Sequence, residues 1–200
     1  PAQPAPRRHR HAGRSQRTLK LHGHNRMTDT QPLLTLRFQE LTTQVHSAPG
    51  VDSVVNLALP IAPAPLAREV LRHTPPTPLE IEQAIEWVED AVMPARARLP
   101  EAFELQVEDA PLRELVGSAG ADPSTGGVAR LSIQDVENLF SRLVALSEGR
   151  PATQDGLPSD GASATRLIIL REVLHHWGVQ WIALAAQETT DNRTQFGSGP

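Results

Sequence analysis

Apolar and polar positions alternate first over Leu33-Leu34-Thr35-Leu36-Arg37-Phe38, which reads as a strand, and again over Thr42 to His46, a second. Pro49-Gly50 is a turn signal, so Val51 to Leu59 reads as a third strand closing a meander. Pro60, Pro63 and Pro65 are expected to hold off a helix until Leu66. Leu66 to Arg72 then makes a short helix, stopped by Pro75-Pro76.

The period changes after Pro76. Thr77 is an N-cap, Pro78 takes the first helical position and Glu80 completes a capping box. Ile81, Ile85, Val88 and Val92 follow at helical spacing as the buried stripe. Glu80, Glu82, Glu86, Glu89 and Asp90 read as a solvated acidic face rather than a carboxylate cluster. Phe103 to Val107 is a further strand, Leu112 to Val116 a short helical stretch, and GSAGADPSTGG a loop of small residues. Ser132 caps the next helix with Asp135 at N3, and Gly149 ends it. Ala164 to Trp177 is a long helix ended by Gly178, and Val179 to Ala185 a closing strand. The order, strand-strand-strand-helix-strand-helix-helix-strand, predicts an α/β domain: a mixed sheet with three meander strands and flanking helices.

Composition narrows the chemistry. Aromatic residues make up 4% of a chain that is 39% hydrophobic, so the core rests on Leu, Val, Ile and Ala. The absence of cysteine excludes disulfides, thiolate metal sites and a cysteine nucleophile. No apolar run is long enough to span a membrane. The net charge of −4 divides unevenly: residues 1–26 carry seven Lys/Arg and four His without an acid, leaving twelve Lys/Arg against 23 acids beyond. That acidic body argues against nucleic-acid binding. The basic arm has three open readings: a polyanion-binding disordered tail, a transit segment, or non-native sequence upstream of Met27. The expected organisation is the arm at 1–26, one lobe at 27–186, and a flexible tail at 187–200.

His175-His176 point about 100° apart on their helix, so they read as imidazoles favouring the helix dipole rather than as a metal pair. Trp87, Trp177 and Trp181 read as core or half-buried packing rather than base-stacking platforms.

One block carries more information than any other. Ala58 to Glu80, ALPIAPAPLAREVLRHTPPTPLE, resembles without a gap a segment of the exopolyphosphatase / guanosine pentaphosphate phosphatase (Ppx/GppA) family, written roughly S-L-P-L-G-x-x-R-L-T-E-R-F-L-x-x-D-P-P-T-P-x-E. Val136, Leu139 and Leu143, then Gly156-Leu157-Pro158-Ser159-Asp160, Ile169-Leu170, Gly178 and Ile182 continue the likeness in the same order. The resemblance implies a ribonuclease-H-like (actin-type) fold, of which the chain holds the second lobe. It implies a magnesium-dependent hydrolase of terminal phosphoanhydrides in polyphosphate or guanosine pentaphosphate, a cytoplasmic location, and a partner lobe or homodimer to complete the site. It also places a D-x-G-G-G-S/T-x-E loop near Leu33 to Glu40, of which Glu40 alone survives as a metal or water contact. A second loop, resembling G-T-x-G-T, falls on Gly117 to Ala121, with Gly117, Ser118 and Gly120 as phosphate-binding amides. With the glycines of the first loop gone, the expected activity is weak or nil in the chain alone; the alternative is a non-catalytic binding or regulatory protein that kept the fold.

Overall fold

A computed structural model describes residues 31–47, 54–118, 129–151, 157 and 160–185. The expected arm at 1–26 and tail at 187–200 lie outside them, as do the start of the third strand and most of the small-residue loop. All described residues belong to one compact unit. Its elements are β1 (Leu33–Phe38), β2 (Thr43–Ser47), β3 (Asn56–Leu59), α1 (Pro63–Glu69), α2 (Pro78–Ala95), β4 (Glu104–Glu108), α3 (Ala110–Ser118), β5 (Ala129–Ser132), α4 (Ile133–Ser147), α5 (Gly161–Trp177) and β6 (Trp181–Leu184).

The strands form one mixed sheet in the order β3-β2-β1-β4-β6-β5. The meander β1–β2–β3 is antiparallel, β1, β4 and β6 run parallel, and β5 returns antiparallel on β6. The fold is therefore the α/β mixed sheet with flanking helices that the pattern predicts. Register lines up Leu57, Val45, Leu36, Val107 and Leu184 across five strands, with Leu34, Leu105 and Ile182 one step along. All eight are buried and make one continuous apolar face. Of the intervening positions, Arg37, Gln44, His46, Gln106 and Glu108 are exposed or half-buried, while Thr35 is buried.

Helix α5 packs against α1, α2, α3 and α4. Ten of its seventeen residues are buried, which is why it lacks an amphipathic stripe. Both predicted capping boxes are present: Thr77 with Glu80, and Ser132 with Asp135. Gly178 closes α5 in the left-handed region at φ 72°, a conformation that Gly adopts without a Cβ penalty.

The structure differs from the sequence expectation in four places. Helix α1 begins at Pro63, not Leu66, because the first turn of a helix needs no internal N–H donor. Strand β5 was not expected; Ser132 both ends it and caps α4. Trp87 and Trp181 are 44% and 59% exposed, and only Trp177 is core. Glu80 is not on a solvated face but buried in its capping box.

Candidate functional site

In an open sheet with parallel strands, ligands are met at the carboxyl ends of those strands. Here that edge is formed by Phe38, Glu108 and Leu184 and by the turns that follow. The turn after β1 is Gln39-Glu40-Leu41-Thr42, closed by Gln39 N–H donating to the Thr42 carbonyl at 2.9 Å. The Thr42 hydroxyl lies 3.3 Å from Gln39 Oε1 and accepts from Gln44 Nε2 at 3.1 Å. Every glycine position of a phosphate loop bears a side chain in this turn. Glu40 is exposed and makes no ion pair with a described residue.

Counting along the sequence sets the motif at Leu33 to Glu40, but β1 itself occupies Leu33–Phe38. Laid on the loop that follows the strand, D-x-G-G-G-S/T-x-E begins at Arg37. Arg37 then stands for the acid, Gln39, Glu40 and Leu41 for the glycines, Thr42 for the Ser/Thr, and Gln44 for the Glu.

Apart from Glu40, the charged side chains flanking the turn are held by described partners. Arg37 pairs with Glu108 across β1 and β4, with Nε 3.0 Å from Oε2. Gln106 Nε2 donates to the other Glu108 oxygen at 3.3 Å. Asp109, between β4 and α3, accepts from Leu112 N–H at 2.7 Å and from Arg166 Nε of α5 at 3.0 Å. Arg113 donates to the Leu184 carbonyl at the end of β6. Asp160 caps α5 by accepting from Ser163 N–H at 2.9 Å. Burial raises its pKa, but bonds from the Ser163 side chain and from the Ser163, Asp160 and Ala162 backbone outweigh it, so the carboxyl titrates below its ordinary value.

Gly117 and Ser118 are the last residues of α3, and Gly120 lies outside the described residues. Gly117 is exposed, and a Cβ added to it meets nothing within 4 Å. Helix α3 starts two residues after β4 and rises about 12 Å along its axis, which separates Gly117 from the helix start by nearly that length.

No family model and no curated protein matches this sequence. Solved structures do. The Ppx/GppA phosphatase of Aquifex aeolicus superposes with a TM-score of 0.62 at 12% identity, covering 80% of this chain and 54% of that one. An exopolyphosphatase from Cytophaga hutchinsonii gives 0.61 at 12% identity, over 79% and 54%. The chain has the fold of the Ppx/GppA phosphatases. That is an actin-like fold. The chain spans about half the length of these Ppx/GppA structures.

Of the strand-edge carboxylates, Glu108 and Asp109 do not fit the magnesium that the Ppx/GppA likeness implies, which leaves Glu40 in the turn. Glu108 and Asp109 are engaged by guanidinium and N–H donors, and Arg37 puts a cation where the motif has its acid. Among the described residues, one group brings three potential metal-ligand atoms within 4.8 Å of one another: Glu89 on α2 with Glu172 and His176 on α5. The reading of His175-His176 as dipole-favouring imidazoles passed over Glu172, one turn before His176. That i,i+4 spacing was the available signal.

Proposed function

We propose that this chain is an exopolyphosphatase-type lobe that handles the terminal phosphates of polyphosphate or guanosine pentaphosphate together with a complementary lobe, and that it hydrolyses little or nothing alone. The observation that carries the reading is the turn after β1. On the motif carried by the resemblance, Gln39, Glu40 and Leu41 stand in the turn after β1 in place of the glycines whose amides would approach the phosphate oxygens. Phosphoryl transfer depends on positioning and electrostatic stabilisation of the transferred group, and the Glu40 carboxylate in that turn opposes an anionic substrate. Gly117, Ser118 and Gly120 are the proposed remaining amide donors. Where the reaction uses magnesium, the complementary lobe supplies most of its ligands. That lobe comes from a longer chain, a partner chain or a second copy.

The test is phosphate release from polyphosphate and from guanosine pentaphosphate by the full chain, with magnesium and with a Gly117→Val control. Release at the rate of buffer is expected. Release by the chain that disappears in the control overturns the reading. A second reading, non-catalytic binding or regulation, rests on the same turn. It predicts saturable polyphosphate binding that Gly117→Val weakens, without release in any combination of lobes. A cytoplasmic setting is part of the proposal; among the described residues no helix is long and apolar enough to cross a membrane.

A further inference from the structure

We propose that Glu89, Glu172 and His176 form a binding site for one divalent transition-metal ion of the zinc type, clasping α2 to α5. The two helices lie side by side, fixed one turn further on by Trp177 Nε1 donating to the Val92 carbonyl at 3.0 Å. His176 Nε2 is 3.1 Å from Glu89 Oε1 and 3.4 Å from Glu172 Oε2. A tetrahedral zinc ion with bonds of about 2.0–2.1 Å spaces its ligands about 3.3–3.4 Å apart. His176 already stands close to that spacing from each carboxylate, and the three ligand atoms lie within 4.8 Å of one another.

The surroundings favour an ion. Glu172 is 2% exposed, and a buried carboxylate needs compensation. Its Oε1 is taken by Arg171 Nη1 at 2.5 Å, which leaves Oε2 on the His176 side. Arg171 is itself held by Glu137 and by the Phe140 ring, so it orients Glu172 from outside the site. His175, on the neighbouring face, pairs with the same Glu137. Glu89, Glu137 and Glu172 against Arg171 set three carboxylates beside one guanidinium, an imbalance that a divalent ion offsets. The half-exposed Glu89 and His176 leave a way in and a fourth position for water. The site is ten residues along α5, about 15 Å, from Arg166 at the strand edge, and does not depend on the phosphatase reading.

Zinc alone is titrated calorimetrically into the full chain and its Glu89→Gln and His176→Ala variants, with folding of each checked by circular dichroism. The comparison is between variants because His9, His11, His22 and His24 of the basic arm also offer imidazoles. The expected result is one equivalent fewer in each variant, or an affinity at least tenfold lower for that equivalent, and a zinc-dependent rise in Tm that only the parent shows. Equal stoichiometry and affinity in all three overturns the site and leaves a protonated His176 bridging two carboxylates. Should the variants fail to fold, the His176 ring nitrogens are followed by NMR in the unaltered chain. A zinc-induced shift of Nε2 supports the site, and an unmoved resonance refutes it.

Discussion

Glu80 joins two helices through a single carboxylate, and replacing it with glutamine tests how much that joint contributes. Its Oε2 accepts from Thr77 N–H at 2.8 Å, while Oε1 accepts from Arg72 N–H at 3.0 Å and meets His73 Nδ1 at 2.7 Å. Burial raises the carboxyl pKa. The Thr77 N–H, His73, Arg72 N–H and Thr77 side-chain bonds lower it further than burial raises it, and the group settles at about 2 instead of 4.5. A depression of that size corresponds to about 3 kcal/mol of folding free energy. Because the folded value is the lower one, this stability is complete above the unfolded pKa. It is lost as pH falls from about 4.5 toward 2, with about half remaining at pH 3. Glu80→Gln keeps the shape and one acceptor but turns an amide N–H₂ toward a backbone donor. The expected cost at pH 7 is about 2–3 kcal/mol, or about 5–10 °C in Tm. Urea unfolding of both proteins at pH 7 and pH 3, followed by tryptophan fluorescence, measures it. A difference below about 0.5 kcal/mol at pH 7, or one of equal size at both pH values, refutes the account.

Three further substitutions test the frame that positions the strand edge. Gly178→Ala forces a Cβ into φ 72° where space is otherwise open, and the strain costs about 1 kcal/mol in urea unfolding. Thr165→Val removes the fully buried hydroxyl that lies 3.1 Å from the Pro63 carbonyl and 2.9 Å from that of Gly161. A loss of about 1–2 kcal/mol is expected, and a neutral result would show that α1 is held on α5 by packing alone. Leu143→Ala opens a cavity under the fully buried face of α4 and costs about 2–5 kcal/mol, read as a lower urea midpoint.

Local signals were legible wherever a residue acts on its own backbone neighbours. Thr77-Pro78 with Glu80, and Ser132 with Asp135, announced two helices in the sequence and are both found as capping boxes. Gly178 marked the end of α5 in the same way. Signals that depend on partners were not legible. Strand β5 has four residues, and only its pairing with β6 makes Ala129–Ser132 a strand. Glu80 was legible as the capping-box acid, but not its burial or the fold-back of the chain before α2 that places Arg72 and His73 against it. The bounds of β1, Leu33–Phe38, were legible to the residue, and the motif counted onto them lies four residues before the turn that follows.

Those four residues change the meaning of the strand edge. With the turn at Gln39–Thr42, the residue in the acid's place is Arg37, which faces Glu108 in the parallel ladder. An aspartate at that position would set two carboxylates opposite each other, and like charges on directly paired positions destabilise a sheet. The arginine and Glu108 therefore belong together, as do the side-chain-bearing turn and its Gln39–Thr42 and Gln44–Thr42 bonds. The Arg37–Glu108 pair and the Gln39–Thr42 and Gln44–Thr42 bonds hold this edge together as a hairpin. Returning glycine at Gln39, Glu40 and Leu41 alone leaves Arg37 and Glu108 locked together beside it. That coupling is the physical reason why the proposed function assigns little or no turnover to this chain alone.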